Sequence, residues 1–270
     1  MIPLSPRNRR VRWLSELSKD IHARRESSLF IVEGWKLTSL ALQDATQIYL
    51  SESVIHTRAA QELTGIAKLH DIPVYVLSDA ALNRISSTKS PQPVLAVVAQ
   101  TQWTPSILEG ATFVLACVNV SDPGNTGSIL RIAAASGADA AIFTEGSADP
   151  YSPKAVRASA GGILHVPILH DIPSLRMIDM LHSNHLTIVG TTAHGEQPYT
   201  AYSFHEPFAL VIGNEGSGLP DNIKRHMDAN ITIPLSRQME SLNAATAAAI
   251  ISYEALRQRD IRTKKVANGL

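Results

Sequence analysis

Short apolar runs alternate with amphipathic stretches along almost the whole chain. Residues 29–32 are all apolar, a pattern that predicts a buried strand. Residues 34–44 carry Leu37, Leu40 and Ala41 at helical spacing. Residues 56–70 do the same with Ala59, Leu63, Ile66 and Ala67, so both stretches predict helices with one apolar face. Residues 48–50, 74–77 and 94–99 predict further strands, the last of them apolar throughout. Ser78 or Asp79 is suited to cap a short helix after the run at 74–77. This alternation predicts a small α/β unit.

The pattern lapses over 101–110, where Pro105 and Gly110 punctuate a stretch without a period. A linker fits, and so does a long surface loop. With a linker at 104–110, the chain divides into a domain over 1–103 and another over 111–270. In the second, 113–118, 140–143, 166–169, 186–191, 209–212 and 231–233 predict strands. A helix over 125–137 would turn Ile129, Ile132 and Ala133 inward, with Asn125 as its cap. Shorter helices follow over 156–160, ended by Gly161 and Gly162, and over 174–182. A long alanine-rich helix runs from about Ser241, its expected cap, to Gln258.

Composition narrows the class. The chain has 270 residues, 44% hydrophobic and 18% charged, enough for two modest domains with real cores. Aromatic residues are only 5%, so those cores must be mainly aliphatic. Lys plus Arg and Asp plus Glu each total 24, which excludes a uniformly basic nucleic-acid coat and an acidic tail but leaves room for local patches. The single cysteine, Cys117, excludes an intrachain disulfide and a cysteine zinc site, and suits a reducing compartment. It lies in an apolar strand and reads as a buried, inert thiol. Residues 1–12 have no apolar core and do not resemble a secretory signal, and no aliphatic run is long enough for a bilayer. The expected location is the cytoplasm.

The common nucleotide motifs are missing. There is no G-x-x-x-x-G-K-[ST] loop, and the glycines at 213, 216 and 218 have the wrong spacing for G-x-G-x-x-G. That argues against a P-loop NTPase and against a Rossmann dinucleotide or methyltransferase site. His182 and His185 are three apart with no second cluster beside them, so no metal site is expected.

Three segments instead place polar residues and glycines just after apolar strands, at the edge where open α/β sheets bind ligands. The first, 119–131, holds a strong Asp122-Pro123-Gly124 turn, then Asn125 and, six residues on, Arg131 with its stem expected to be partly buried. The second, 210–219, packs three glycines into six residues around Asn214 and Glu215. The third, 231–243, runs through Ile233-Pro234-Leu235 to Glu240-Ser241-Leu242-Asn243. Taken singly, each has a bland alternative: a helix cap with a surface arginine, a tight turn, and a cap followed by close helix packing.

Together, in this order and at these spacings, the segments D-P-G-N-T-G-S-I-L-R from Asp122, I-G-N-E-G-S-G-L from Ile212 and I-P-L…E-S-L-N from Ile233 resemble the three motifs of the SpoU/TrmH family. These are S-adenosylmethionine-dependent RNA 2′-O-ribose methyltransferases of the SPOUT class. Pro153 to Ser159 also resembles a stretch found between the first two motifs. Phe30 to Gly34, Arg84 to Thr88 and Pro91-Gln92 resemble the small N-terminal substrate-binding domain of rRNA-type members, which is similar to ribosomal protein L30e. Arg237 departs from the pattern, since many members carry glycine there.

The resemblance implies an α/β fold in two parts. A C-terminal SPOUT domain, a parallel sheet between helices with a deep trefoil knot, follows a smaller N-terminal L30e-like α/β domain. It implies S-adenosylmethionine as cofactor, held by Thr191, Thr192, Gly213, Asn214, Ile233, Leu235 and Leu242. It implies a catalytic set of Arg131, Asn125, Glu215, Ser241 and Asn243, a homodimer packed through the C-terminal domain, and no metal. Because a guanidinium is a very weak base, Arg131 is expected to stabilise the developing alkoxide and hold a phosphate.

The target 2′-OH requires RNA. Between Arg7 and Glu26, seven positive charges (among them Arg7, Arg9, Arg10, Arg12, Arg24 and Arg25) face three negative ones. This is either a phosphate-binding arm or a solvated helix face. By the same resemblance, the N-terminal domain implies large-subunit, 23S-type rRNA as substrate, since the simplest tRNA members of the family lack it. A tRNA methyltransferase, a non-catalytic RNA-binding or ribosome-assembly module, and a small-molecule phosphate enzyme are the alternatives.

Overall fold

The computed structural model describes residues 2–88, 90–193, 196–236 and 241–267, with backbone alone for 261–267. Two compact units emerge, Met1–Gln102 with Tyr151–Leu164, and Trp103–Pro150 with His165–Leu270.

The first unit runs α1 (Arg9–Lys19), α2 (Ile21–Ser27), β1 (Leu29–Glu33), α3 (Trp35–Leu40), β2 (Ala45–Ser51), α4 (Arg58–Leu69), β3 (Val74–Leu77), α5 (Asp79–Ile85) and β4 (Val94–Ala99). Its sheet has the order β1-β4-β2-β3, with β4 antiparallel to both neighbours and β2 parallel to β3. Side chains begin the helices: Asn8 accepts from the backbone of Arg10, Thr57 from Ala60, and Ser78, not Asp79, from Ala81. Val11, Leu14 and Leu17 of α1 pack with Tyr49, Leu77 and Leu95 in one core.

Two expected helical faces are corrected. The helix at 34–44 stops at Leu40, whose side chain is 44% exposed. On α4 the Thr57 cap fixes the start so that Ala60, Leu63 and Ala67 turn inward, which leaves Ala59 exposed and Ile66 41% exposed.

The second unit contains β5 (Phe113–Cys117), α6 (Pro123–Ser136) and β6 (Ala140–Thr144). The chain then forms α7 (Pro153–Ser159), which packs within the first unit although it falls in the second half of the sequence. There the Tyr151 ring lies 5.1 Å from Phe30, and Arg157 donates to the Ser87 hydroxyl at 2.8 Å. The second unit resumes with β7 (Ile168–Ile172), α8 (Ser174–Ser183), β8 (Thr187–Thr191), β9 (Gln197–Pro198), β10 (Phe208–Ile212), α9 (Asp221–Lys224), β11 (Ala229–Thr232) and α10 (Ala244–Ala267).

Its seven strands have the order β7-β6-β5-β10-β8-β11-β9, and the pairings are parallel. β5, β6 and β10 are buried at every position, as strands covered on both faces must be. Leu108, inside the stretch expected to be a linker, sits fully buried in this core. From β5 the chain builds outward through β6 and β7, and the later strands lie on the other side. β5 and β10 therefore meet at a topological switch point, where such sheets open a crevice at their carboxyl ends. Small residues bring α10 close to α6: Ala244, Ala248, Ile251, Ser252 and Ala255 form its buried stripe. Among the described residues, no helix is long and apolar enough to cross a membrane.

Candidate active site

A cleft of about 400 Å³ opens at the carboxyl ends of β8, β10 and β11, against the first turns of α10. Thr191, Thr192, Gly213, Asn214, Ile233, Leu235 and Leu242, the residues given to the cofactor, all line it, as do Glu215 and Ser241. Arg237 lies outside the described residues. The Thr191 hydroxyl is spent on the Val211 carbonyl at 3.1 Å, which ties β8 to β10. The Thr192 hydroxyl is buried and has no partner.

The loop after β10 is closed on itself. Asn214 and Gly218 exchange backbone hydrogen bonds at 3.0 and 2.9 Å. Gly213 lies so close beneath this bridge that a Cβ would meet the Gly218 carbonyl carbon at 2.4 Å. Gly218 has φ +67°, a conformation that favours glycine.

A chain of amides and one carboxylate runs from α10 to α6 to this loop and ends at Glu215 in the cleft wall. Asn243 Nδ2 donates to Asn125 Oδ1 at 2.8 Å, and Asn125 Nδ2 donates to Glu215 Oε1 at 2.6 Å. Two sequence expectations are corrected here, and both corrections explain the network. Asp122, not Asn125, caps α6 by accepting from the Asn125 backbone at 2.9 Å, which frees the Asn125 side chain for Glu215. Asn243, not Ser241, caps α10 by accepting from the Thr246 backbone at 3.1 Å. Its Oδ1 is thus committed to the helix and its Nδ2 must point to Asn125. Ser241 precedes the helix and is exposed at the cleft.

Arg131 is not brought into this cluster. It is exposed, with no hydrogen bond or ion pair among the described residues, instead of being partly buried as expected. Six residues beyond Asn125 on one helix, it stands about 9 Å further along the axis. Behind the site, Cys117 is fully buried, and burial reinforced by the Glu215 charge pushes its thiol far above the ordinary range. No three His, Cys, Asp or Glu side chains among the described residues are grouped to hold a metal. His182 instead lies 3.6 Å from Asp228.

The arginines given to RNA separate in the first unit. Arg7, Arg9, Arg10, Arg12 and Arg25 are exposed, and the Arg10 guanidinium lies 4.3 Å from the centre of the Tyr75 ring. Arg24 is only 4% exposed and donates to the carbonyls of Leu17 and Ser18 at 2.9 and 3.1 Å, satisfying the end of α1. Burial keeps it from a phosphate.

Sequence reasoning missed Asp221 and Lys224, which line the cleft from α9 beyond any motif, and Ala247 and Ile251, which face it one turn apart on α10. Their i, i+4 spacing was the available signal for the last two. It also gave no role to Asn119, whose carbonyl accepts from Asn214 Nδ2 at 2.8 Å.

The chain matches the SpoU rRNA Methylase family model over residues 112–253 and the MRM3-like substrate binding domain over 8–96. It is 33% identical to the 23S rRNA (guanosine(2553)-2′-O)-methyltransferase RlmP of Bacillus subtilis over 240 residues, which cover 87% of this chain and 92% of that protein. It is 29% identical to the 23S rRNA (uridine(2479)-2′-O)-methyltransferase of Streptomyces viridochromogenes over 267 residues, 95% of this chain and 92% of the relative. The crystal structure of the SpoU methyltransferase AviRb from that organism, in complex with the cofactor AdoMet, superposes with a TM-score of 0.84 at 29% identity, covering 94% of this chain and 99% of the other. With half the chain inside the family model and near full-length relatives on both sides, the protein belongs to the SpoU rRNA methylase family.

Proposed function

We propose that this protein methylates the 2′-OH of one ribose in large-subunit rRNA, with S-adenosylmethionine as methyl donor. The reaction class follows from the family. The large subunit is favoured by the 23S rRNA targets named for both relatives and by the match to a substrate-binding domain. The two named targets differ in base, so the ribose is the shared element.

The single observation that carries the reading is the cleft at the carboxyl ends of β8, β10 and β11, where the second and third motif segments meet and to which the first is tied through the Asn125–Glu215 hydrogen bond. The cleft fits the cofactor. Thr192 offers an unpartnered buried hydroxyl, Ile233, Leu235 and Leu242 offer apolar walls for a flat ring, and the loop at 213–218 exposes backbone. The bound cofactor supplies a methyl group on a positively charged sulfur. The chain's own residues hold the acceptor. Asn243 and Asn125 pass their orientation to Glu215 through two donated hydrogen bonds, so the carboxylate is fixed before RNA arrives. Arg131, unpinned by protein, is free to be ordered by an RNA phosphate and to stabilise negative charge growing on the 2′ oxygen. Proton loss from that oxygen then passes to phosphate or water, since a guanidinium is a poor acceptor.

The proposal includes the RNA contacts of Arg7, Arg9, Arg10, Arg12 and Arg25, residence in the cytoplasm, a homodimer packed through the second unit, and a trefoil knot. Exposed Tyr253 on α10 and exposed Arg131 on α6 support the dimer. The return of α10 onto α6, after the chain has supplied three segments to one cleft, supports the knot.

The test is methyl transfer from labelled S-adenosylmethionine to total RNA from a strain lacking the gene, with Arg131→Ala beside wild type. Label in a single large-subunit ribose that disappears with Arg131→Ala, while cofactor binding persists, is the expected result. A tRNA product would overturn the substrate, and absence of cofactor binding would overturn the enzyme.

A further inference from the structure

Asn214 lines the cleft, yet its side-chain amide is already saturated. Oδ1 accepts from the backbone N–H groups of Gly216 and Ser217 at 3.0 and 3.2 Å and from the Ser217 hydroxyl at 3.3 Å. Nδ2 donates to the Asn119 carbonyl at 2.8 Å and to Glu215 Oε2 at 3.3 Å. Both amide hydrogens and both oxygen lone pairs are therefore used inside the protein. One end of the amide builds the turn, and the other faces the end of β5 and the carboxylate.

The end of β5 is shaped to meet it. Asn119 has φ 55°, a left-handed conformation that asparagine tolerates better than most residues. Its N–H donates to the Thr144 hydroxyl at 3.1 Å, which holds the peptide while its carbonyl is offered to Asn214. Glu215 is consequently gripped at both oxygens, Oε1 by Asn125 on α6 and Oε2 by Asn214 within its own loop. With only one grip the carboxylate turns about its last torsion, a soft, roughly two-fold rotation.

Resting on the methyltransferase assignment above, we propose that Asn214 is a positioning residue. It sets the orientation of the Glu215 carboxylate against the first motif and donates nothing to the cofactor. Its place in the second motif is then explained by the turn and the carboxylate together.

Asn214→Asp separates these roles. The variant keeps an oxygen to accept from Gly216 and Ser217, so the turn survives. It replaces the donor with an oxygen that faces the Asn119 carbonyl and Glu215. The expected result is S-adenosylmethionine affinity within about threefold of wild type by calorimetry, with kcat lower by roughly 10- to 100-fold. Asn214→Ala, which loses the turn as well, weakens cofactor affinity and kcat together. A readout without activity comes from melting temperature. Asn214→Asp lowers it, and adding Glu215→Gln restores it, because an amide at 215 can donate to a carboxylate at 214. Cofactor affinity falling more than about tenfold in Asn214→Asp with kcat retained would make Asn214 a cofactor ligand and overturn the proposal. So would a double variant no more stable than Asn214→Asp. If the wild-type protein transfers no methyl group to RNA, the methyltransferase assignment fails by itself, and the melting series still decides whether Asn214 and Glu215 are coupled.

Discussion

Replacing Gly213 by alanine tests the cleft at its tightest point. The new Cβ would lie 2.4 Å from the carbonyl carbon of Gly218, 2.5 Å from the Leu219 nitrogen and 2.6 Å from the Gly218 oxygen. All three are backbone atoms, so no side chain can swing away. Carbon atoms rest at about 3.5–4.0 Å, so the strand end and the loop must part by about 1 Å. Overpacking of this kind costs about 1–3 kcal/mol. The same displacement strains the Asn214–Gly218 backbone pair, each bond of which is worth about 1 kcal/mol. A total of about 2–4 kcal/mol corresponds to a melting temperature lower by roughly 5–15 °C for a unit of this size. Because the loop is a wall of the cleft, S-adenosylmethionine affinity should also fall by at least about tenfold, or 1.4 kcal/mol.

Two neighbouring glycines supply the controls. A Cβ on Gly216 meets only Asn214 Oδ1 at 3.7 Å, so Gly216→Ala should change stability by less than about 0.5 kcal/mol. A Cβ on Gly218 meets nothing within 4 Å but inherits φ +67°, so Gly218→Ala should cost about 1–2 kcal/mol in backbone strain while leaving the cleft open. The assay is a thermal melt of each variant with and without cofactor, paired with calorimetric titration. If Gly213→Ala melts and binds like Gly216→Ala, the close approach at the loop base is refuted.

Two further outcomes follow from the first unit. Arg9→Gln and Arg12→Gln should each flatten the salt dependence of RNA binding by about 0.7–0.9 of a log unit per log unit of salt without changing the melting temperature. Arg24→Gln should do the reverse, since its guanidinium serves helix carbonyls, and a salt slope that also falls with Arg24→Gln would refute the division. Burial holds the Glu33 carboxyl above its ordinary value of 4.5, against the opposing pull of Arg157 and the Ser86 hydroxyl. Between those two values the folded state binds more protons than the unfolded chain, so this group's contribution to stability falls as pH rises through that window. The melting temperature of Glu33→Gln relative to wild type should therefore climb as pH rises from below 4.5, and a flat or falling difference would show that the carboxyl is not raised.

The order of elements was written in the local sequence. Runs such as 94–98 and 113–117 have no polar position to expose and become buried strands. Glycines and polar residues after three apolar runs marked the sheet edge where open parallel sheets bind ligands, and the family resemblance named the cofactor residues that line the cleft there. Other features depend on how the segments pack. Asn125 reads locally as a cap, and only its meeting with Glu215, 90 residues away, and Asn243, 118 residues away, shows what its side chain does. Arg24 reads as one more surface arginine until packing turns it into the carbonyls of Leu17 and Ser18. Pro153–Ser159 reads as part of the second half, yet it packs with the first unit, because Tyr151 finds Phe30 and Arg157 finds Ser87. Periodicity and turn chemistry act over a few residues and fix the type and order of the elements. Which polar atoms satisfy one another is decided only when the fold brings distant segments together, since a buried donor takes its acceptor from space and not from sequence.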